Sequence, residues 1–95
     1  MTTITNREEA LEKVKEVGSW LEDVDDKLKA DREIVLEAVK NDGSALEFAS
    51  KALRNDREVV LEAVKSLGSS YEYASEELQD DPEISKIVDA WYKNN

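Results

Sequence analysis

The side chains with chemistry to offer in this chain are carboxylates. They gather in two places: Glu22, Asp23, Asp25 and Asp26, then Glu72, Glu76, Glu77, Asp80, Asp81 and Glu83. Paired carboxylates hydrolyse glycosides when one is held protonated and the other ionised across a cleft. Clustered carboxylates hold calcium when a loop wraps them around the ion. The 22–26 spacing departs from the D-x-[DN]-x-[DN]-G calcium loop, and those residues fall where a helix is expected. A chain of 95 residues has little room for a catalytic cleft. There is no histidine and no cysteine, which removes the usual general base, the commonest transition-metal ligand, thiolates and disulfides. No glycine-rich phosphate loop, G-x-S-x-G elbow or H-E-x-x-H is present. The expectation is a protein that is not an enzyme, with no metal and no cofactor.

What the carboxylates do offer is a field. Twenty-three acidic and 13 basic side chains give a net charge of −10. Such a charge repels nucleic acid and anionic lipid and attracts a basic protein surface. The plainer reading is that it keeps the protein soluble. Trp20 is the other candidate for contact, because an exposed tryptophan beside an acidic cluster makes a binding anchor. The other aromatic candidates, Tyr73, Trp91 and Tyr92, are expected in the core. Hydrophobic residues make up 40% and charged residues 38%, a balance that suits a folded domain rather than an acidic tail. No apolar run spans a bilayer, and the first residues lack a signal-peptide pattern. A cytoplasmic setting, with neither membrane nor direct nucleic-acid contact, is expected.

The elements that position these residues are announced by a repeat. Asp31-Arg32-Glu33-Ile34-Val35-Leu36-Glu37-Ala38-Val39-Lys40 returns 25 positions later as Asp56-Arg57-Glu58-Val59-Val60-Leu61-Glu62-Ala63-Val64-Lys65. Units 31–55 and 56–80 share 15 identities, and units 6–30 and 31–55 share 11. A partial unit covers 81–95. Each unit reads as a helix–turn–helix. Asn6, Asp31, Asp56 and Asp81 are N-caps, Pro82 sits at a first helical position, and Glu8, Glu33, Glu58 and Glu83 suit the helix dipole. Gly18, Gly43 and Gly68 are expected as left-handed C-terminal residues. Ser19/Glu22, Ser44/Glu47 and Ser69/Glu72 read as capping boxes. The expectation is seven short helices near 7–17, 20–29, 32–42, 45–54, 57–67, 70–79 and 82–93.

Ile34, Val35, Leu36, Ala38 and Val39 span about half the helix circumference. A stripe that wide is covered on two sides, as in a stacked array. Leu46, Ala49 and Leu53 are the buried positions of the second helix, and alanines at 38, 49, 63 and 74 permit close approach. The fold class is therefore all-α, a single-domain short α-solenoid over 1–95. The ends differ as caps should: Glu9, Lys13 and Asp23 replace Ile34, Ala38 and Phe48. The last helix closes the other end with Ile84, Ile87, Val88, Trp91 and Tyr92. Arg7/Arg32/Arg57, Glu12/Glu37/Glu62 and Lys15/Lys40/Lys65 are placed to form ion-pair ladders between units.

The pattern D-[RK]-E-[IV]-V-L-x-A-V-K followed by G-S-x-L-x-[FY]-A-S-x-x-L resembles a tandem helical repeat family of bacteria and protists, known only as a domain of unknown function. Residues 31–53 and 56–78 carry the resemblance. It implies a helical repeat fold and brings no activity, cofactor or site residue.

Residues common to every unit serve the unit, so function is sought where units differ. The leading expectation is an acidic interaction module that docks a basic protein partner through Glu22, Asp23, Asp25, Asp26, Glu72, Glu76, Glu77, Asp80 and Trp20. The alternative is an inhibitor that mimics nucleic acid and occupies a basic channel. A double row of carboxylates favours mimicry. A mixed patch with an exposed aromatic favours ordinary docking.

Overall fold

The caps and the apolar stripe organise the chain into repeated pairs of layers. A computed structural model describes residues 3–94. The order is α1 (Arg7–Glu16), η1 (Gly18–Asp23), α2 (Asp26–Lys29), α3 (Arg32–Asn41), η2 (Gly43–Phe48), α4 (Lys51–Arg54), α5 (Arg57–Ser66), η3 (Gly68–Tyr73), α6 (Glu76–Gln79) and α7 (Pro82–Asn94), with η denoting 3-10 helix. The first helices α1, α3, α5 and α7 stack in succession, and η1, η2 and η3 stack beside them. The stack measures 39 × 25 × 20 Å. The only β feature among the described residues is a single parallel bridge between Ile4 and Val24.

Among the described residues ten helices stand where seven were expected, because each second helix is broken in two. The break follows from one backbone bond. The N–H of Ser50 donates to the Lys29 carbonyl of the preceding unit at 2.9 Å, and Ser75 does the same to Arg54 at 3.0 Å. Those N–H groups are thereby withdrawn from a continuous helix. The preceding residues, Ala49 and Ala74, are extended. Asp25, Ser50 and Ser75 then cap α2, α4 and α6, accepting from the N–H of Leu28, Leu53 and Leu78. The capping boxes do not form. The Ser44 hydroxyl donates to Asp42 Oδ1 at 2.7 Å instead, since the i→i+3 pattern of a 3-10 helix already occupies the nearby N–H groups.

The glycines also act differently from expectation. None has positive φ. Each is needed for close approach. A Cβ on Gly18 would lie 2.4 Å from the Ala38 carbonyl oxygen, and one on Gly43 would lie 2.3 Å from that of Ala63. Buried alanines on the next helix complete the contact.

The two-sided stripe is confirmed by its ends. Ile34, Val35, Ala38 and Val39 are fully buried. In the first unit, Ala10 and Val14 face the next unit and are buried, while Glu9 and Lys13 take the opposite positions. In α7 the assignment reverses: Ile84 and Val88 are buried, whereas Ser85 and Asp89 are exposed. Trp91 is half-buried, but Tyr92, expected in the core, is exposed.

The ion-pair ladder exists with other partners than Glu12, Glu37 and Lys40. Arg7 Nε donates to Asp31 Oδ2 at 2.6 Å, Arg32 to Asp56 at 2.8 Å and Arg57 to Asp81 at 2.9 Å. The same guanidinium groups reach Glu33, Glu58 and Glu83. The N-caps of α3, α5 and α7 are thus each held by the arginine of the unit before. Lys65 pairs within its own helix, with Glu62.

Candidate functional site

The first acidic group lies at the junction of η1 and α2. Val24 is extended there, and the N-terminal segment pairs with it. The Ile4 N–H donates to the Asp23 carbonyl and the Asp25 N–H donates to the Ile4 carbonyl, both at 2.8 Å. Glu22, Asp23, Asp25 and Asp26 line an open groove of about 400 Å³ with Thr3 and Lys29. Asp25 has a structural task as well, since its Oδ1 accepts the Leu28 N–H at 3.0 Å. Glu22 and Asp26 are exposed, while Asp23 and Asp25 are half-buried.

The second group is divided rather than gathered. Asp81 and Glu83 are engaged by Arg57. That contact holds the Asp81 carboxyl below its ordinary range, helped by the Ile84 N–H. Glu76 lines a groove of about 470 Å³ with Lys51, Arg54 and Ser75. Glu77 lines a neighbouring groove of about 400 Å³ that again includes Lys51. Basic side chains of the middle unit therefore sit among the acids of the third. Glu72 and Asp80 are exposed, and the Glu72 carbonyl accepts from Gln79 Nε2 at 3.2 Å.

Stacking of η1, η2 and η3 puts Glu22, Glu47 and Glu72 at one position of the repeat. The charge of Glu47, with burial and the charge of Glu72, raises the Tyr73 phenol above its ordinary 10. Neighbouring positions mix signs, reading Asp26, Lys51, Glu76 and then Lys29, Arg54, Gln79. Within the second halves of the units, only the position of Glu22, Glu47 and Glu72 is acidic in all three.

Trp20 is 37% exposed, while its counterparts Ala45 and Ser70 are 0% exposed. Those counterparts have a preceding unit in front of them, and Trp20 has none among the described residues. Lys13 Nζ lies 4.6 Å from the Trp20 ring centroid. Val17, also exposed, lies close by in sequence.

The sequence reading missed the side chains at the end of each first helix. Asn41 Oδ1 accepts the Gly18 N–H at 2.6 Å, and Ser66 Oγ accepts that of Gly43 at 3.0 Å. At the corresponding position 91 the residue is tryptophan, whose ring covers Gly68. It also missed an open groove of about 260 Å³ between η3 and α7, lined by Tyr71, Ile84, Ser85, Val88, Asp89 and Tyr92, together with Gln79. The signal was available: Ser85 and Asp89 replace the valines at positions 60 and 64.

Among the described residues, no three His, Cys, Asp or Glu side chains are grouped as a metal site would require. None of the described helices is long and apolar enough to cross a membrane.

A family model described as "Domain of unknown function (DUF4116)" matches the chain in tandem, over residues 6–54 and 56–88. Comparison with curated proteins and with solved structures gives no match.

Proposed function

The chain belongs to the family described as Domain of unknown function (DUF4116), and on that premise we propose that it is a non-catalytic, acidic protein-interaction module. One observation carries the reading: the acids that join neighbouring units and the exposed acids assigned to docking are different residues. Asp31, Glu33, Asp56, Glu58, Asp81 and Glu83 hold units together through Arg7, Arg32 and Arg57. Glu22, Asp26, Glu72, Glu76, Glu77 and Asp80 are exposed and enter no ion pair among the described residues. Folding does not require their charge, which leaves it free to steer a basic partner. Exposed Trp20 supplies an apolar anchor beside the first group. Asp23 and Asp25 contribute charge there while also shaping the turn.

The alternative, mimicry of nucleic acid by an inhibitor, is less well supported. Lys51, Arg54 and Lys29 interrupt the acidic rows. A mimic of a duplex needs regularly spaced charge along two strands.

The test is affinity capture from the native host with three baits. One is the natural chain. The second carries Glu72, Glu76, Glu77 and Asp80 changed to lysine. The third carries Glu22, Asp23 and Asp26 changed to lysine with Asp25→Asn, which preserves the N-cap. The module reading expects a protein retained by the natural bait and lost from at least one variant. Equal capture by all three baits means that the acids only solvate the surface.

A further inference from the structure

Units join through contacts that recur every 25 residues. The N–H of Asp25 donates to the Ile4 carbonyl, that of Ser50 to Lys29 and that of Ser75 to Arg54. Ile4 thus stands in for the end of a preceding unit. Each incoming 3-10 segment also covers an apolar floor, with η3 packing on η2 and α5. Leu46, Val60 and Val64, at the positions of that floor, are all fully buried.

At the far end the next seat is formed, and none of the described residues fills it. The groove between η3 and α7 is walled by Tyr71, Ile84, Val88 and Tyr92, with Tyr71 37% and Tyr92 54% exposed. Gln79, also at the groove, corresponds to Lys29 and Arg54, and among the described residues no other unit donates to its carbonyl. Lys93 stands where other units carry glycine, and α7 continues to Asn94 rather than turning into a 3-10 segment. The seat has also changed chemistry. Val60 and Val64 have become Ser85 and Asp89, so a hydrophobic floor now carries a negative charge at its edge. At about 260 Å³ the groove is smaller than the roughly 300–1,000 Å³ of small-molecule sites, and suits one or two anchoring side chains.

We propose that this groove docks a short segment of another protein that pairs an apolar side chain with a nearby lysine or arginine. The segment enters as the repeat's own second half enters the interior seats. The apolar group lies against Tyr71, Ile84 and Val88, a backbone N–H meets the Gln79 carbonyl, and the cation meets Asp89. The inference deepens the interaction-module reading and rests on it for the class of partner. A second copy of this chain is a poor occupant, because its matching segments η1, η2 and η3 are already packed in their own stack and each copy carries −10.

The test titrates the isotope-labelled full chain, observed by NMR, with a synthetic peptide of residues 43–55. That peptide carries Leu46 and Phe48 followed by Lys51 and Arg54. A peptide of residues 68–80, aromatic but acidic, is the comparison. The proposal expects saturable shifts at the amides of Tyr71, Ser85, Asp89 and Tyr92 with the first peptide, and weaker binding of the second. Ser85→Arg fills the groove from an exposed position and removes the binding. Asp89→Lys weakens the basic peptide by about two- to five-fold, the effect of losing one exposed ion pair, and strengthens the acidic one. Absence of saturable shifts overturns the proposal. So do shifts confined to residues 22–26 and 76–80, which leave the acidic-cluster reading standing. Groove shifts that depend on protein concentration without peptide identify a second copy and also overturn it. Groove binding together with unaltered capture by both charge-reversed baits sinks the acidic-cluster reading alone.

Discussion

Alanine at position 43 is expected to be among the most damaging small changes available in this protein. A Cβ at Gly43 lies 2.3 Å from the Ala63 carbonyl oxygen, 2.7 Å from Ser70 Oγ and 3.0 Å from Leu67 Cβ. The nearest obstacle is backbone inside α5, which retreats only if the third unit moves away from the second. Inserting a methyl group into a packed interior costs about 1–3 kcal/mol, and a backbone obstacle puts Gly43→Ala near the top, at about 3 kcal/mol. For a domain of this size each kcal/mol moves the melting temperature by roughly 4–8 °C, so a loss of about 12–24 °C is expected. For Gly68→Ala the three nearest atoms all belong to the Trp91 side chain, at 2.9–3.0 Å, with no backbone among them, so the cost should be lower, about 1–2 kcal/mol. Gly43→Asn separates two explanations. Asparagine tolerates a left-handed backbone but not this contact, so it should be at least as harmful as alanine. The assay is thermal and urea unfolding followed by circular dichroism. The reasoning is refuted if Gly43→Ala melts with the parent, if Gly68→Ala is the worse of the two, or if asparagine alone is tolerated.

Other outcomes follow from the same contacts. The Arg32 hydrogen bond, with help from the Val59 N–H, holds the Asp56 carboxyl below its ordinary 3.8, and Arg7 does the same for Asp31. A depressed folded pKa contributes stability that is present above the unfolded value and lost as pH falls through the folded one. Unfolding titrations should therefore show stability dropping as pH falls below about 4, and Asp56→Asn, which keeps a capping oxygen, should flatten that drop. Trp20→Ala should leave the melting temperature nearly unchanged. Trp91→Ala, which uncovers Gly68, should cost about 2 kcal/mol, below the range for a fully buried tryptophan; the same melts decide both. Calcium, magnesium and zinc should not raise the melting temperature beyond a general salt effect, whereas a saturable rise at micromolar metal would reveal a native-state site.

The first helices were legible in the sequence because their signals are local. Asp31, Asp56 and Asp81 do cap, the stripe at 34, 35, 38 and 39 is buried, and the polar flank of the first unit faces outward. The second halves were not, because their shape is set between units. Nothing within residues 43–55 reveals that the Ser50 N–H belongs to Lys29, so the 3-10 segment and the break at Ala49 read as one helix. The role of glycine was misread for the same reason. Its obstacle, the Ala63 carbonyl, is supplied by the following unit. Of the candidate site, exposure of Trp20 followed from its small counterparts at 45 and 70. The mixing of Glu76 and Glu77 with Lys51 and Arg54 depended on how units stack.

The central claim, docking led by carboxylates that the fold does not need, is tested most directly by association kinetics. Residues 56–80 carry seven acidic and two basic side chains, against five and four in residues 31–55, so the field is uneven along the stack. The captured partner should be mixed with the natural chain and with the variant reversed at Glu72, Glu76, Glu77 and Asp80, across ionic strengths where the screening length falls from about 30 Å at 0.01 M to about 8 Å at 0.15 M. The account predicts an on-rate that drops steeply with salt for the natural chain, and a slower, nearly salt-independent one for the variant. Salt-independent rates that are the same for the natural chain, this variant and the one altered at residues 22–26 would contradict it.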